Sequence, residues 1–305
     1  MTTASCSSTL LKGVFCASVT PLNADLSIDH GLLATHAKKL LSDGCDGVAM
    51  LGTTGEATSF STAERMAALE ALLTAGIRPN QLVPGTGAAS VEDSVALTKH
   101  ALSCGVSHTL ILPPFYYKTL SEDAIVETYS YILNRVDDDR LRVLLYHIPQ
   151  MSGVSISVNV IARLRESHGD LIAGVKDSSA DLANSTALIE GLPDFPVFVG
   201  SDPLMLPTLK IGGAGCITAT SNFLAGDLAG IYNAFNDDNQ SDWVNSLQSH
   251  ITEGRRVTTQ YAQIPSIKAV LAQIYNSTAW RAVRPPLLQL DNDKAAEVSN
   301  MLAAI

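Results

Sequence analysis

The sequence has few of the residues that build metal sites or disulfide frameworks. Its five cysteines are widely scattered, and no two of them are spaced as CxxC. Such a set predicts neither a disulfide framework nor a structural zinc site. The seven histidines show no HExxH spacing, which leaves a catalytic zinc site without its usual signature. We therefore expect no metal, and a reducing, cytoplasmic setting in which the thiols remain free.

Long hydrophobic runs and basic charge are also missing. No apolar run reaches the roughly 18 residues that a membrane-spanning helix needs, and the formal net charge is -10. An acidic chain is unsuited to general binding of nucleic acid or anionic membranes, so we expect neither as a partner. Residues 1–10 contain no basic residue. We interpret them as a disordered lead-in and not as a secretory signal.

Apolar, strand-like segments recur along the first three quarters of the chain. Eight of them lie at residues 14–20, 47–52, 82–87, 108–113, 142–148, 172–176, 196–200 and 215–220. Helix-like segments separate most of these, at residues 30–41, 63–73, 91–102 and 124–134. Strands that alternate with helices predict parallel pairing through right-handed crossovers. Eight such units favour an α/β fold of the closed (β/α)8 TIM-barrel type.

Helix starts and the end of the barrel are also marked in the sequence. Ser61 with Glu64, and Thr119 with Glu122, match the S/T-x-x-E capping box that opens a helix. After Asn222 the strand signal stops, and the remaining segments, 228–235, 243–251, 267–275 and 294–302, have helical character. We expect the barrel to span residues 11–235. A C-terminal helical appendage, residues 236–305, would dock on it without forming an independent domain.

A lysine, Lys176, stands inside the apolar sixth strand. Loss of water disfavours the charged ammonium form. A neutral amine in a pocket is a nucleophile toward carbonyl carbon, which is the basis of Schiff-base catalysis. From this residue alone the alternative stays open that the stem packs in the core while the head group reaches the surface.

Two motifs follow predicted strands at the end where barrel enzymes place their active sites. Gly52 and Gly55 flank Thr53 and Thr54 after the second strand. The glycines permit a sharp turn in which amides and hydroxyls converge on an anion such as a carboxylate, although a plain turn is the alternative. Tyr116 follows the fourth strand within a Tyr-Tyr pair. Surface packing or a subunit contact is the common role of such a pair.

The fifth, sixth and seventh strands bring further polar groups to the same end. Tyr146 closes the fifth strand, next to the strand of Lys176, where a phenol can transfer protons during imine formation. Ser201 and Asp202 end the seventh strand and are expected to face the same mouth. His147 alternates away from Tyr146, so we expect it to pack outside the barrel.

Glycine-rich segments do not indicate a nucleotide site. The sequence Gly-Thr-Gly at 85–87 lacks the third glycine and the downstream acidic residue of a dinucleotide fingerprint. The segment 212–215 precedes the eighth strand and belongs to the structural end of a barrel. We therefore expect no cofactor.

Taken together, the motifs resemble one family, the pyruvate-dependent class I aldolases that include dihydrodipicolinate synthase and N-acetylneuraminate lyase. The resemblance rests on five ordered motifs: GTTGE at 52–56, PFYY at 114–117, YHIP at 146–149, GVKD at 174–177 and GSD at 200–202. It extends from about residue 11 to the Arg-Pro-Pro sequence at 284–286.

The resemblance implies a role for each matching residue. Lys176 would form the Schiff base with pyruvate or another 2-oxo acid, and Tyr146 would be the general acid/base. Thr53 and Thr54 would bind the carboxylate of the 2-oxo acid, with Thr54 linking Tyr146 into a proton relay. Tyr116 would complete the relay of a neighbouring subunit.

Two further implications concern the pocket and the assembly. Ile217 matches a position whose backbone carbonyl faces the bound acid, and Gly55, Ser201, Asp202 and Met151 complete the expected substrate-binding set. A homo-oligomer, a dimer of dimers, follows from the role of Tyr116.

One departure bears on the second substrate. Dihydrodipicolinate synthases typically carry an arginine two residues after the proline of the motif that is YHIP here, and this chain has Met151. The loss of a bidentate carboxylate partner is not a conservative change.

We therefore expect a lyase that cleaves or forms a 2-keto-3-deoxy sugar acid or a related hydroxy-oxo acid, with pyruvate as imine partner. The alternatives are a dihydrodipicolinate synthase that joins pyruvate and aspartate semialdehyde, a dehydratase of a keto-deoxy sugar acid, or a non-catalytic keto-acid-binding module.

Overall fold

The structure is a computed structural model that describes residues 10–305. All but the last residue of the expected lead-in, residues 1–10, therefore lies outside the described part. Parallel strands form a barrel in the order β2-β1-β7-β6-β5-β4-β3. The strands are β1 (Gly13–Ala17), β2 (Gly47–Ala49), β3 (His108–Ile111), β4 (Arg142–His147), β5 (Ile172–Asp177), β6 (Val197–Val199) and β7 (Gly215–Thr218).

The segment predicted as the third of eight strands, residues 82–87, is the one expected strand that the structure does not form as a continuous element. It fills the gap between β2 and β3 through isolated bridges from Leu82 to Val48 and from Gly85 to Leu110. The Leu110 amide donates to the carbonyl of Pro84 at 2.9 Å. Pro84 has no amide hydrogen, so it cannot complete a ladder of its own. The barrel thus has eight strand positions. Seven are regular strands, and the segment 82–87 occupies the eighth.

Helices surround the barrel and extend beyond it. In the described residues they are α1 (His30–Ser42), α2 (Thr62–Thr74), α3 (Val91–Ser103), α4 (Glu122–Val136), α5 (Pro149–Ser152), α6 (Val158–His168), α7 (Leu182–Gly191), α8 (Met205–Lys210), α9 (Ser221–Ala234), α10 (Ser241–Thr258), α11 (Gln263–Ile274) and α12 (Asn292–Leu302). None of them is long and apolar enough to cross a membrane.

The two predicted capping boxes have different outcomes. At α2 the Ser61 side chain and Glu64 cap each other's backbone amides, which confirms the first box. At α4 the expectation was wrong, because the cap is Ser121, whose hydroxyl accepts from the amide of Ala124. Glu122 lies inside the helix and binds Asn159 at 2.6 Å.

Side chains that alternate along each strand divide the core into an inner and an outer layer. The inner cluster includes Phe15, Leu144, Tyr146, Phe198 and Ile217, contributed by strands from all round the barrel. Phe15 and Phe198 meet edge-to-face at 5.8 Å between ring centroids. The intervening residues of each strand face the helices. The interior is thus filled below the mouth, as in barrels of this type.

The C-terminal helices α10 and α11 lie at the end of the barrel where the strands finish, and α12 packs on both of them. Trp280 is fully buried and stacks on Tyr275, with 5.0 Å between the ring centroids. Lys268 of α11 pairs with Glu56 at 2.5 Å, and both side chains are 0% exposed. Burial lowers the pKa of Lys268, and the neighbouring Glu56 carboxylate opposes that shift. This ion pair fixes the extension to the loop that follows β2.

Candidate active site

Lys176 and Tyr146 form the centre of the site. They lie on the adjacent strands β5 and β4 and are directly paired in register. Both are almost completely buried, at 5% and 4% exposure. The Lys176 Nζ lies 4.3 Å from the centroid of the Tyr146 ring. An amine and a phenol are therefore held together in a water-poor cavity, as their positions at neighbouring strand ends predicted.

The loop after β2 brings a threonine to Tyr146. The Thr53 Oγ1 is 3.3 Å from the Tyr146 hydroxyl. The resemblance implies this link for Thr54, which lines the cavity, but among the described residues it is Thr53 that lies within hydrogen-bond distance of Tyr146. Consecutive residues in a loop point in different directions. Here Leu51 and Glu56, both with positive φ, shape the turn.

Gly55 supports that loop and does not line the cavity, contrary to the expectation that it binds substrate. Its carbonyl accepts from the Thr20 hydroxyl at 2.8 Å. A Cβ at this position would lie 2.8 Å from the amide nitrogen of Leu51, so only glycine permits the close approach. The next residue, Glu56, is the buried partner of Lys268 and also accepts from the backbone amide of Arg284 at 3.0 Å.

The cavity has a volume of about 360 Å³ and opens at the carboxyl ends of the strands. The strands and the loop after β2 contribute Ala17, Thr53, Thr54, Tyr146, Lys176 and Ile217. The outer wall is formed by Gln150, Met151, Ser178 and Ser201 together with Arg255, Gln263, Ile264, Pro265 and Leu287 of the C-terminal extension. A cavity of this size holds a molecule considerably larger than pyruvate.

Of the two residues expected from the seventh predicted strand, Ser201 lines the cavity and Asp202 does not. The Asp202 side chain is fully buried and accepts from the Thr220 hydroxyl. Its other oxygen lies 3.3 Å from Nη1 of Arg255. Asp202 is thus held by Thr220 and Arg255 instead of facing substrate.

Residues beside the reactive pair hold the strand ends in place. Asp177 accepts from the Ser185 hydroxyl at 2.7 Å and from the Asn184 amide at 3.0 Å. The His147 Nδ1 accepts from the amide of Ile156 at 3.0 Å, and burial lowers the pKa of the ring. His147 therefore packs outside the barrel in its neutral form, as its alternation with Tyr146 predicted.

Met151 lies at the mouth, on the single turn α5 that follows β4. Its side chain is 62% exposed and lines the cavity. The neighbouring Gln150 uses its side-chain amide to donate to the carbonyl of Ser178 at 2.5 Å. This part of the wall therefore offers an apolar surface and no charge.

Tyr116 does not line the cavity of its own chain. Its side chain is 75% exposed and packs edge-to-face on Tyr117, with 5.5 Å between the ring centroids. Exposed aromatic pairs of this kind are typical of protein interfaces.

Two other features lie away from this cavity. Glu70, His100 and Cys104 on α2 and α3 bring potential metal ligands within 4.8 Å of one another, and His100 already binds Glu70 at 2.8 Å. A second cavity of about 340 Å³ is lined by His108, Arg142 and other residues at the amino ends of the strands. In barrels of this type that end is structural.

The C-terminal extension contributes cavity-lining residues that the sequence did not predict. Arg255 lies on α10, and Gln263, Ile264 and Pro265 lie in the first turn of α11. Neither helix follows a strand of the barrel, so strand-end position could not identify them. Only the docking of α10 and α11 over the mouth brings these side chains to the cavity.

Comparison with known proteins identifies the family. The sequence model of the dihydrodipicolinate synthetase family matches residues 10–305. An uncharacterized DapA-like lyase from Chloroflexus aurantiacus is 35% identical over 286 residues, which cover 93% of this chain and 94% of that protein. A 4-hydroxy-tetrahydrodipicolinate synthase from Methanococcoides burtonii is 30% identical, with 96% of this chain and 98% of the relative covered.

Solved structures show the same architecture. The dihydrodipicolinate synthase from Agrobacterium tumefaciens superposes with a TM-score of 0.88 at 28% identity, covering 96% of this chain and 98% of that chain. YagE, a prophage protein from E. coli K12 solved in complex with pyruvate, superposes with a TM-score of 0.89 at 23% identity, covering 97% and 99%. At that identity the second likeness concerns the fold alone. The chain belongs to the dihydrodipicolinate synthetase family and is a lyase of the class I aldolase type.

Proposed function

We propose that this protein forms an imine between the Nζ of Lys176 and the keto carbon of pyruvate or another 2-oxo acid, and uses it to make or break a carbon-carbon bond. The observation that carries the proposal is the buried amine 4.3 Å from the centroid of the Tyr146 ring, inside a cavity large enough for a substrate. An amine with little access to water is the nucleophile that this chemistry requires.

The first steps form the bond between the Lys176 nitrogen and the keto carbon, with proton transfers at each stage. The Lys176 nitrogen attacks the keto carbon, and the carbinolamine then loses water to give the imine. Tyr146 is positioned to deliver and collect the protons, and Thr53, whose hydroxyl is 3.3 Å from that of Tyr146, holds the phenol in place. Thr53 and Thr54 line the cavity beside this pair, and in this proposal they bind the carboxylate of the acid.

Cleavage of a 4-hydroxy-2-oxo acid then follows from the imine. Tyr146 removes the proton of the 4-hydroxyl, the bond between C3 and C4 breaks, and its electron pair moves into the imine to form an enamine. The aldehyde leaves, C3 takes up a proton, and water releases pyruvate from Lys176. The imine is the electron sink, so the reaction needs no further oxidant or reductant.

The leading substrate class is a 2-keto-3-deoxy sugar acid or a related hydroxy-oxo acid. Met151 supports this class because the usual carboxylate-binding arginine is absent from its position. Dihydrodipicolinate synthase activity is the second candidate, and the 30% identity to a relative of that name supports it. A coupled assay with pyruvate and aspartate semialdehyde tests this second candidate.

The remaining alternatives use the same cavity. Loss of water from a keto-deoxy sugar acid would pass through the same imine and leave the carbon chain intact. A non-catalytic keto-acid-binding module would need no phenol and threonine beside the lysine, which is an observation against it. Detection of pyruvate and an aldehyde among the products separates cleavage from dehydration and from binding alone.

The assembly and the setting complete the proposal. The exposed Tyr116 would reach the active site of a neighbouring subunit, so the working unit is a dimer and the full assembly a dimer of dimers. A cytoplasmic setting fits the thiols of Cys16, Cys45, Cys104 and Cys216, which are free in the structure.

Borohydride inactivation tests the imine. Wild-type protein treated with pyruvate and sodium borohydride should lose activity irreversibly, while pyruvate or borohydride alone should have little effect. Lys176→Ala should have no activity to lose and should no longer bind pyruvate with the heat of imine formation in calorimetry. Lys210→Ala, at an exposed lysine on α8, is the control and should behave as the wild type. Pyruvate binding that survives Lys176→Ala unchanged would favour the binding module.

A further inference from the structure

We propose that the outer wall of the active-site cavity binds a second anionic group of the substrate through Arg255 and Gln263. This inference rests on the proposed function and narrows its substrate class to the hydroxy-oxo acids that carry a second carboxylate. The substrate would be a 4-hydroxy-2-oxo acid with a second carboxylate at the far end, so that the aldehyde half is itself an acid.

The charges of the cavity point to such a ligand. Lys176 and Arg255 are the charged side chains among its described lining residues, and no aspartate or glutamate lines it. The carboxylate next to the keto group is provided for by Thr53 and Thr54. Arg255 is therefore a second cationic group with no anionic partner inside the cavity.

Arg255 has unused hydrogen-bonding capacity. Its guanidinium carries five N–H donors. Among the described residues its side chain makes a single contact of 3.3 Å, from Nη1 to Asp202. The side chain is 29% exposed and lines the cavity. The fork geometry of a guanidinium matches a carboxylate.

Asp202 positions this arginine and only partly compensates its charge. The carboxylate is itself fully buried and shared with the Thr220 hydroxyl and, more weakly, the Thr220 amide at 3.3 Å. It therefore holds Nη1 of the guanidinium and leaves the other donors of Arg255 without a bond among the described residues. This role explains why Asp202 follows β6 at the mouth without facing the substrate.

A second donor stands beside Arg255 on the same wall. The side-chain Nε2 of Gln263 is buried and has no hydrogen-bond partner among the described residues. Gln263 also begins the 12-residue helix α11, which has no side-chain cap at Ala262. The free amides of a helix start carry partial positive charge and favour an anion nearby. A buried donor without a partner costs free energy, and a turn of the Gln263 side chain toward a bound carboxylate would recover it.

The placement also accounts for Met151. Met151 follows β4, whereas Arg255 is held by Asp202, which follows β6. β5, with Lys176, lies between these two strands. The cationic side chain thus lies on the β6 side of Lys176, whereas synthases typically carry theirs on the β4 side. The far end of the substrate would therefore turn toward β6.

The test compares substrates that differ only in the charge of the far end. Condensation of pyruvate is measured with glyoxylate and with succinate semialdehyde, each against its uncharged methyl ester, and with glyceraldehyde 3-phosphate as the phosphate analogue. Wild-type protein should show a kcat/KM for the better carboxylate that is about tenfold or more above that for its ester, because a charge-assisted bond is lost in the ester. Equal values for acid and ester would overturn the proposal, and a preference for the phosphate would overturn the choice of carboxylate.

Variants assign the effect to Arg255. Because Arg255→Gln alone would leave Asp202 buried without its partner, the informative variant is Arg255→Gln with Asp202→Asn. It should lose the preference for the acid, chiefly through a rise in KM, and Arg255→Lys should recover part of it. Arg256→Gln, at the exposed neighbour paired with Glu253 at 2.5 Å, is the matched control and should keep the preference. If kcat/KM falls equally for the acid and the ester in the double variant, Arg255 has a structural role and does not bind the carboxylate.

Two readouts separate this proposal from the proposed function. The pyruvyl adduct on Lys176 is measured by mass spectrometry in every variant. Its absence from wild-type protein would refute the imine and leave the anion site to be judged by the second readout. Binding of succinate is measured by calorimetry without turnover. Succinate should bind wild-type protein and the control more tightly than the double variant, and equal binding to all three would refute the anion site whether or not the imine forms.

Discussion

At the scale of single residues, the site depends on which side chain of a consecutive pair points inward. Thr53 and Thr54 are chemically identical, yet only the hydroxyl of Thr53 lies within hydrogen-bond distance of Tyr146. The sequence predicted that both threonines lie at a strand end, and both line the cavity. It could not decide between the two, because their directions are set by the backbone of the loop after β2 and not by residue type.

Separate substitutions of the two threonines should therefore have different effects. Thr53→Val should lower kcat by about tenfold or more, because Tyr146 loses the partner that holds it during proton transfer. Thr54→Val should chiefly raise the KM for pyruvate. Steady-state kinetics with each variant check this, and Thr208→Val, at a buried threonine of α8, is the control. A fall in kcat confined to Thr54→Val would restore the assignment that the resemblance implied.

The buried ion pair of Lys268 with Glu56 gives a prediction for stability. Lys268→Met should lower the free energy of unfolding by about 3–5 kcal/mol, because it leaves the Glu56 carboxylate buried without its countercharge. Adding Glu56→Gln should recover most of that loss. Urea unfolding of the three proteins measures both effects. A single variant as stable as the wild type would show that the pair contributes little to holding the loop after β2.

At the scale of helices and strands, the C-terminal extension is joined to the barrel through buried polar contacts. His36 of α1 lies within 2.9 Å of the Tyr275 hydroxyl and within 3.0 Å of the Asn222 side chain. Its ring also meets Trp280 edge-on, with 5.0 Å between the ring centroids. Burial lowers the pKa of His36 to about 4. The folded protein therefore holds a neutral ring at this junction.

The low pKa of His36 predicts that acid weakens the fold. Between pH 6.5 and 4 the unfolded chain takes up a proton that the folded chain refuses, so stability is present above pH 6.5 and is lost as the pH falls. The loss over that window should reach about 3 kcal/mol. Urea unfolding at pH 7, 5.5 and 4.5 measures it. His36→Gln should show a smaller slope, and an unchanged slope would assign the effect to other groups such as His147.

The sequence predicted elements and strand ends better than it predicted the contacts between them. Lys176 and Tyr146 could be placed together because parallel barrel strands end at the same face. The third strand was predicted from apolar residues, but Pro84 interrupts its hydrogen bonding. Arg255 and Gln263 carried no local signal, since only tertiary docking of α10 and α11 brings them to the cavity.

At the scale of the whole molecule, a single chain leaves Tyr116 largely exposed, whereas Lys176 and Tyr146 are buried. The loop that carries it is rich in aromatic residues and lies outside the barrel wall. A tyrosine that completes the site of a second subunit would make activity depend on the assembly. In this proposal a single chain lacks the tyrosine that completes its own site, and only an interface with a second subunit supplies it.

Mixed assemblies test that dependence. Tyr116→Phe and Lys176→Ala should each have low activity alone. A mixed dimer of the two variants should regain activity, because one site combines Lys176 of one subunit with Tyr116 of the other. Turnover after mixing and subunit exchange measures the recovery, with Tyr117→Phe as the control for Tyr116→Phe. If Tyr116→Phe turns over normally, or mixing restores nothing, Tyr116 does not act across an interface.

The most direct measurement of the central claim is the mass of peptides from protein reduced with borohydride in the presence of pyruvate. The account predicts one modified peptide, which carries a reduced pyruvyl group on Lys176. Unmodified Lys176, or an adduct on another lysine such as Lys210 or Lys268, would contradict it.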